Sequence, residues 1–275
     1  MGIRVISGVV GIALAAFIIQ TGGAAFGAAA LLLMLIGWHE YARAFEHYGT
    51  PPTYFGGMAA TALIWAAAFF GGAELLGAAA TISTLLLMLP AVFRHRVFSS
   101  AQALCSVAGV LYVGLPLSHL MLLRFWRAGE TMTTSVGAMD VGCVWLWIAL
   151  IGTWASDTFA YFSGFFFGRR KLCEAISPKK TIEGFIGGVI GTAASVAALG
   201  HAVGLPLLPM LGLGVAIALT ATVGDLVESA VKRFTGIKDS GVLIPGHGGV
   251  LDRFDSAMYV VPCVYYLVRA LSVMG

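Results

Sequence analysis

Residues 57–93 read GMAATALIWAAAFFGGAELLGAAATISTLLLMLPAVF, thirty-seven residues with a single charge, Glu74. A helix needs about 20 apolar residues to cross ~30 Å of hydrocarbon. The run supplies that length nearly twice, so it predicts two spans, 57–72 and 75–93. The rest of the chain follows the same pattern of long apolar runs with short polar breaks. Of 275 residues, 59% are hydrophobic and 11% charged, 36 are glycine, and the mean hydropathy is +0.92. A soluble domain of this length would show amphipathic stripes instead. The weak alternation of a membrane β-barrel is also absent, which leaves helices. Further spans are expected at 5–20, 25–42, 102–122, 141–163, 184–203, 206–227 and 254–273. The expected fold is therefore all-α: a polytopic helical membrane protein of about nine transmembrane helices. The apolar run after Arg4 reads as the first span, because no cleavage pattern with a polar mature start follows it.

Loop charge sets the expected topology. With the N-terminus in the cytoplasm, thirteen of the sixteen basic residues fall on the cytoplasmic side, leaving Arg124, Arg127 and Arg269 opposite. Such a split follows the excess of Lys and Arg in cytoplasmic loops. It puts segments 168–183 and 228–253 on the cytoplasmic face and makes 126–140 an external solvated connector. The chain reads as one membrane domain. Residues 1–140 serve as scaffold, and 141–275 carry the active site. Gly164 and Gly168, like Gly187 and Gly191, are four apart, a spacing that lets helix backbones approach closely. Cys105, Cys143, Cys173 and Cys263 lack paired spacing for zinc or a disulfide framework and read as packing residues.

Against this background three polar clusters stand out. In 221–241, ATVGDLVESAVKRFTGIKDSG, a continuing helix would put Asp225, Glu228, Ser229 and Lys232 on one face. Two carboxylates near a membrane boundary need neutralising. Lys232 can serve Glu228, and a bound cation is the expected partner of the deeper Asp225. Oxygen-only ligands favour Mg²⁺. In 238–256, KDSGVLIPGHGGVLDRFDS, a turn at Pro245-Gly246 precedes His247, Gly248 and Gly249. Glycines there free successive N–H groups to cradle a phosphate. Lys238 and Arg253 flank them, and Asp252 and Asp255 are expected to open the last span, three apart on one face. Carboxylates for a metal, cations for phosphates and a glycine nest together suggest a nucleoside triphosphate held through Mg²⁺. The third cluster starts at Asp157, an ionisable residue well inside the sixth span and functional by default. Ser156, Thr158 and Tyr161 are the hydrogen-bond partners of a purely structural alternative. Beyond it, Ser177 is expected to cap a helix with Pro178 in its first turn. That would place Lys179, Lys180 and Thr181 at an anion-binding helix N-terminus, near Glu183. Glu40, in WHEYARAFEH, reads as a helix-end charge rather than a cavity residue.

Segment 229–256, SAVKRFTGIKDSGVLIPGHGGVLDRFDS, resembles the signature of phosphatidate cytidylyltransferases, the CDP-diacylglycerol synthases. Ser229 stands ahead of Lys232-Arg233, and Lys238-Asp239 follows after four residues. Pro-Gly-His-Gly-Gly and Asp252-Arg253-x-Asp255 complete the pattern. Every fixed position is met, and SPKKTIEG at 177–184 and GDLVES at 224–229 are also similar to the family. The first 140 residues match only in general character. The resemblance implies that CTP and phosphatidic acid give CDP-diacylglycerol and pyrophosphate with Mg²⁺, in phospholipid biosynthesis at the inner membrane. It implies metal ligation by Asp225 and Asp252, and phosphate contacts from Lys232, Arg233, Lys238 and Arg253. It further implies substrate contacts from Lys179, Lys180 and the glycines, with His247 positioning a phosphate oxygen. Nucleic acid is not among the expected partners. Whether a second cation joins the Mg²⁺ and whether the chain forms a homodimer stay open. The rival readings are a CTP-dependent polyprenol or phytol kinase and, from a different class, an ion-coupled transporter.

Overall fold

A computed structural model describes the backbone of residues 2–241 and 248–274 and the side chains of residues 10–241 and 248–272. Pro245, Gly246 and His247 lie outside the described residues. The chain forms two compact units. One holds the described residues of Met1–Leu122 and Val231–Phe254, the other those of Leu123–Ala230 and Asp255–Gly275.

The first unit begins with helices α1 (Gly2–Thr21), α2 (Gly23–His47) and α3 (Tyr54–Phe93). Helix α4 (Ser100–Gly109) starts at a reciprocal cap, in which Ser99 Oγ accepts from Gln102 N and Gln102 Oε1 accepts from Ser99 N. A π-helical turn, Val110–Gly114, joins it to α5 (Leu115–Arg124). Pro116 explains that turn. Its ring nitrogen has no hydrogen to give the Tyr112 carbonyl, so the ladder widens locally. The buried centre of this unit includes Met34, Trp38, Ile64, Val113 and Leu117. Trp38 satisfies its indole N–H on the Tyr54 carbonyl at 3.0 Å.

The second unit carries two small antiparallel pairs. β1 (Thr131–Thr134) pairs with β2 (Gly137–Asp140), and β3 (Lys171–Cys173) with β4 (Ser177–Thr181). Its helices are α6 (Val141–Phe167), α7 (Ile182–Ala202), most of α8 (Leu207–Thr235) and α10 (Ala257–Met274). The short helix α9 (Leu251–Phe254) belongs to the first unit.

The glycine spacings do pack α6 on α7. A Cβ on Gly184 would lie 2.8 Å from the Ala160 carbonyl and 3.1 Å from Gly164 Cα; Gly187 faces Ser163, and Gly191 the Phe159 ring. Lipid gives helices no hydrophobic reason to associate, so close approach through small residues supplies the dispersion contact. Gly184→Ala should therefore cost about 1–3 kcal/mol, the usual range for overpacking. Thermal unfolding in detergent measures it, and an unchanged midpoint would remove the seam as a stability determinant.

Six helices among the described residues are long and apolar enough to cross a membrane: α2, α3, α4 with α5, α6, α7 and α8. The expected nine spans divide the chain differently. Within Tyr54–Phe93 the stretches 57–72 and 75–93 are nonetheless two helices, parted at Gly72, whose φ of 60° and ψ of −151° suit glycine and break the helix. Among the residues whose side chains are described, Val10–Thr21 of α1 and Ala257–Ser272 of α10 are also apolar helical stretches. The 126–140 connector is partly the β1–β2 hairpin.

Candidate active site

Asp252, in α9, is held by three hydrogen bonds. Its Oδ1 accepts from Lys232 Nζ at 2.8 Å, and its Oδ2 accepts from Ser240 N at 2.9 Å and Gly249 N at 2.8 Å. Burial works against the charged form. The Lys232 hydrogen bond, the Gly249 N–H, the Lys232 charge and the Ser240 N–H outweigh it, so the carboxyl sits below its usual range and is ionised at neutral pH. The chain bends tightly around it. Gly248 has φ +82°, and a Cβ there would stand 2.8 Å from Asp252 Oδ2. Lys232 comes from the last turn of α8, so Asp252 returns to the helix end twenty residues before it. Arg233, Lys238, Asp239 and Arg253 are exposed.

The described part of the expected phosphate nest is already engaged by the protein's own carboxylates. Gly249 N serves Asp252, while the next two amides, Val250 N and Leu251 N, donate to Glu40 Oε1 and Oε2, each at 2.8 Å. Glu40 is 4% exposed, so the expectation of a helix-end charge is corrected. Sequence reasoning underrated it because its partners are main-chain groups 210 and 211 positions away. The available signal was a carboxylate set inside an apolar helix, costly unless something specific receives it.

In the second unit, Asp225 on α8 pairs through Oδ2 with Lys180 Nζ at 2.8 Å, and Ser229 Oγ donates to its Oδ1 at 3.3 Å. An ammonium thus stands beside Asp225. Glu228 is buried on the same helix. The helical cap expected at Ser177 is corrected: 177–181 is strand β4, and α7 is capped by Thr181, whose side chain accepts from Gly184 N at 3.1 Å. Strand alternation then separates the two lysines. Lys180 is half-buried on Asp225, whereas Lys179 is exposed. Glu183 binds neither lysine. It receives Arg169 N, Arg170 N and Arg170 Nε at 3.0–3.1 Å. Asp157 is exposed on α6. Asp255 does not share a helix with Asp252. It lies in the turn between α9 and α10, where its Oδ1 accepts Ser256 N at 2.6 Å.

Asp225 and Asp252 offer hard oxygen donors, the chemistry Mg²⁺ selects. No group of three or more His, Cys, Asp or Glu side chains gathers among the described residues. Each carboxylate taken by itself suits an ion that takes few protein ligands and completes its shell with phosphate oxygens and water, as Mg²⁺ commonly does.

Apolar helices of membrane-crossing length carrying Lys–Asp pairs define a helical membrane protein with a charged site. The chain belongs to the cytidylyltransferase family, whose model matches residues 2–271. It is 34% identical over 288 aligned positions to a phosphatidate cytidylyltransferase of Synechocystis, covering 98% of this chain and 96% of that one. It is 33% identical to a phosphatidate cytidylyltransferase of Bacillus subtilis over 195 residues, 70% of this chain and 68% of that one. A Staphylococcus aureus protein of the same name is 44% identical over 128 residues, 46% of this chain and 49% of its own.

Proposed function

We propose that this chain makes CDP-diacylglycerol and pyrophosphate from CTP and phosphatidic acid, at the cytoplasmic face of the inner membrane. The observation that carries the reading is the folding of the cytidylyltransferase signature about Asp252, which draws Lys232, Ser240 and Gly249 onto one carboxylate. The lipid phosphate is anionic and already nucleophilic. One of its oxygens forms a bond to the α-phosphorus of CTP, and the bond from that phosphorus to the bridging α,β-oxygen breaks, with the electron pair leaving on pyrophosphate. No strong base is required, so positioning and charge neutralisation dominate catalysis. Asp225 and Asp252 are the residues that would hold Mg²⁺, which when bound supplies Lewis acidity to nucleotide phosphates. Lys180 and Lys232 hold the two carboxylates in place and present cationic charge to phosphate oxygens. Exposed Arg233 and Lys238 can swing toward the triphosphate or the departing pyrophosphate, and exposed Arg253 stands beside Asp252 in sequence. One substrate stays in the bilayer and the other stays in water, which accounts for a charged site on apolar helices.

The test is the fate of label. Purified chain with phosphatidic acid, Mg²⁺ and CTP labelled at the α-phosphate should place the label in lipid, and γ-label should appear only in pyrophosphate. Transfer of γ-label to lipid would instead identify a kinase.

A further inference from the structure

The least expected carboxylate in the first unit is Glu40. It is buried at 4% exposure in α2, and its two oxygens each take one of two consecutive amides, Val250 N and Leu251 N. Two main-chain glycines press on it. A Cβ on Gly249 would lie 2.6 Å from either Glu40 oxygen, and a Cβ on Gly241 would also collide with the carboxylate. Segments 240–241 and 249–251 are therefore both moulded around one side chain. The same two segments supply the Ser240 and Gly249 amides that hold Asp252 Oδ2. Two carboxylates thus share one short stretch of backbone, with Gly249 N on Asp252 and the next two amides on Glu40. A buried anion bonded to main-chain donors fixes a loop strongly, because any displacement strands either the charge or the amides.

We infer that Glu40 is a positioning residue for cytidylyl transfer: it fixes backbone 249–251 so that Asp252 stays on Lys232. It touches no substrate and acts through Asp252. The inference rests on the cytidylyltransferase reading for its catalytic consequence, but its structural half stands apart from that reading.

Glu40→Gln is the informative variant. The amide keeps the shape and one acceptor, and turns an NH₂ group toward the second N–H donor. Outer partners of this kind typically change activity by about 10–100-fold. The expected result is a fall of that size in kcat, with KM for phosphatidic acid within about 3-fold, the range of a side chain that makes no ground-state substrate contact. In an Asp252→Asn background the same change should cost less than about 3-fold, because residues acting as a unit are non-additive. Independent, multiplicative losses, or a fully active Glu40→Gln, would overturn the inference. Amide exchange of the wild-type full chain decides it without a variant or an assay. Val250 and Leu251 should be strongly protected, and rapid exchange at 249–251 sinks the proposal whether or not Glu40→Gln folds. Protected amides in a chain that makes no CDP-lipid would instead reject the activity and leave the anchor standing.

Discussion

Asp252→Asn should lower CDP-lipid formation by at least ~100-fold at saturating CTP and phosphatidic acid, the scale of losing a preorganised electrostatic contact in the transition state. Asparagine keeps the volume and one carbonyl oxygen. That oxygen can still receive Ser240 N and Gly249 N, so the turn persists. It cannot also receive Lys232 Nζ, which now stands 2.8 Å from Asp252 Oδ1. The substituted NH₂ would face an ammonium and repel it. Lys232 is only 18% exposed and Asp252 6%, so water compensates poorly for the lost pairing. Removing one member of a buried pair costs more than the pair contributes, because the survivor's charge stays desolvated. The variant should fold, bind detergent micelles as the wild type does, and need more Mg²⁺ for its residual rate. Initial rates across a Mg²⁺ titration make the measurement. Near-normal turnover would take Asp252 out of the site.

What the sequence made legible follows from which forces are local. Residues 57–93 announce membrane helices because apolar length is a property of a single segment. The break is legible too: the first span of the run is expected to end at residue 72, and of Gly71, Gly72 and Gly77 only Gly72 takes the non-helical backbone. Asp225, Asp252, Lys180 and Lys232 stood out because each charge is costly in such a chain. Which lysine meets which aspartate was not legible. The helix face from Asp225 to Lys232 is real on α8, yet Lys232 reaches Asp252, and Asp225 is met by Lys180 from a strand. Segment 177–181 carries a cap, a proline and two lysines, all compatible with a helix start. Pairing with Lys171–Cys173 decides for β4 and moves the cap to Thr181. Glu40 was hidden for the same reason: its partners are amides more than two hundred residues away, and no short-range pattern records that distance.

Lys180→Met should separate function from stability most cleanly. The Lys180–Asp225 pair is 2.8 Å long, but the side chains are 24% and 33% exposed. A pair this open contributes about 0–1 kcal/mol to folding, because solvent screens the charges and ordering a lysine costs side-chain entropy. Methionine keeps most of the aliphatic stem, so packing is nearly conserved. Thermal unfolding should then shift by no more than about 4 °C, as 1 kcal/mol moves a chain of this size by roughly that much. Catalysis should respond quite differently. In the proposed mechanism Lys180 stands beside a carboxylate that would hold Mg²⁺ and stabilises charge that grows on pyrophosphate, and loss of such a donor costs about 10²–10³ in rate. The expected signature is a kcat/KM lower by ~100-fold with a nearly unchanged melting point. Lys180→Arg, which keeps the charge but widens the head, should fall between wild type and Lys180→Met, since a planar fork does not replace a point charge at this distance. The opposite pattern, a melting point that drops by ten degrees or more while the folded fraction turns over normally, would make the pair a structural clasp between β4 and α8 and remove Lys180 from the chemistry.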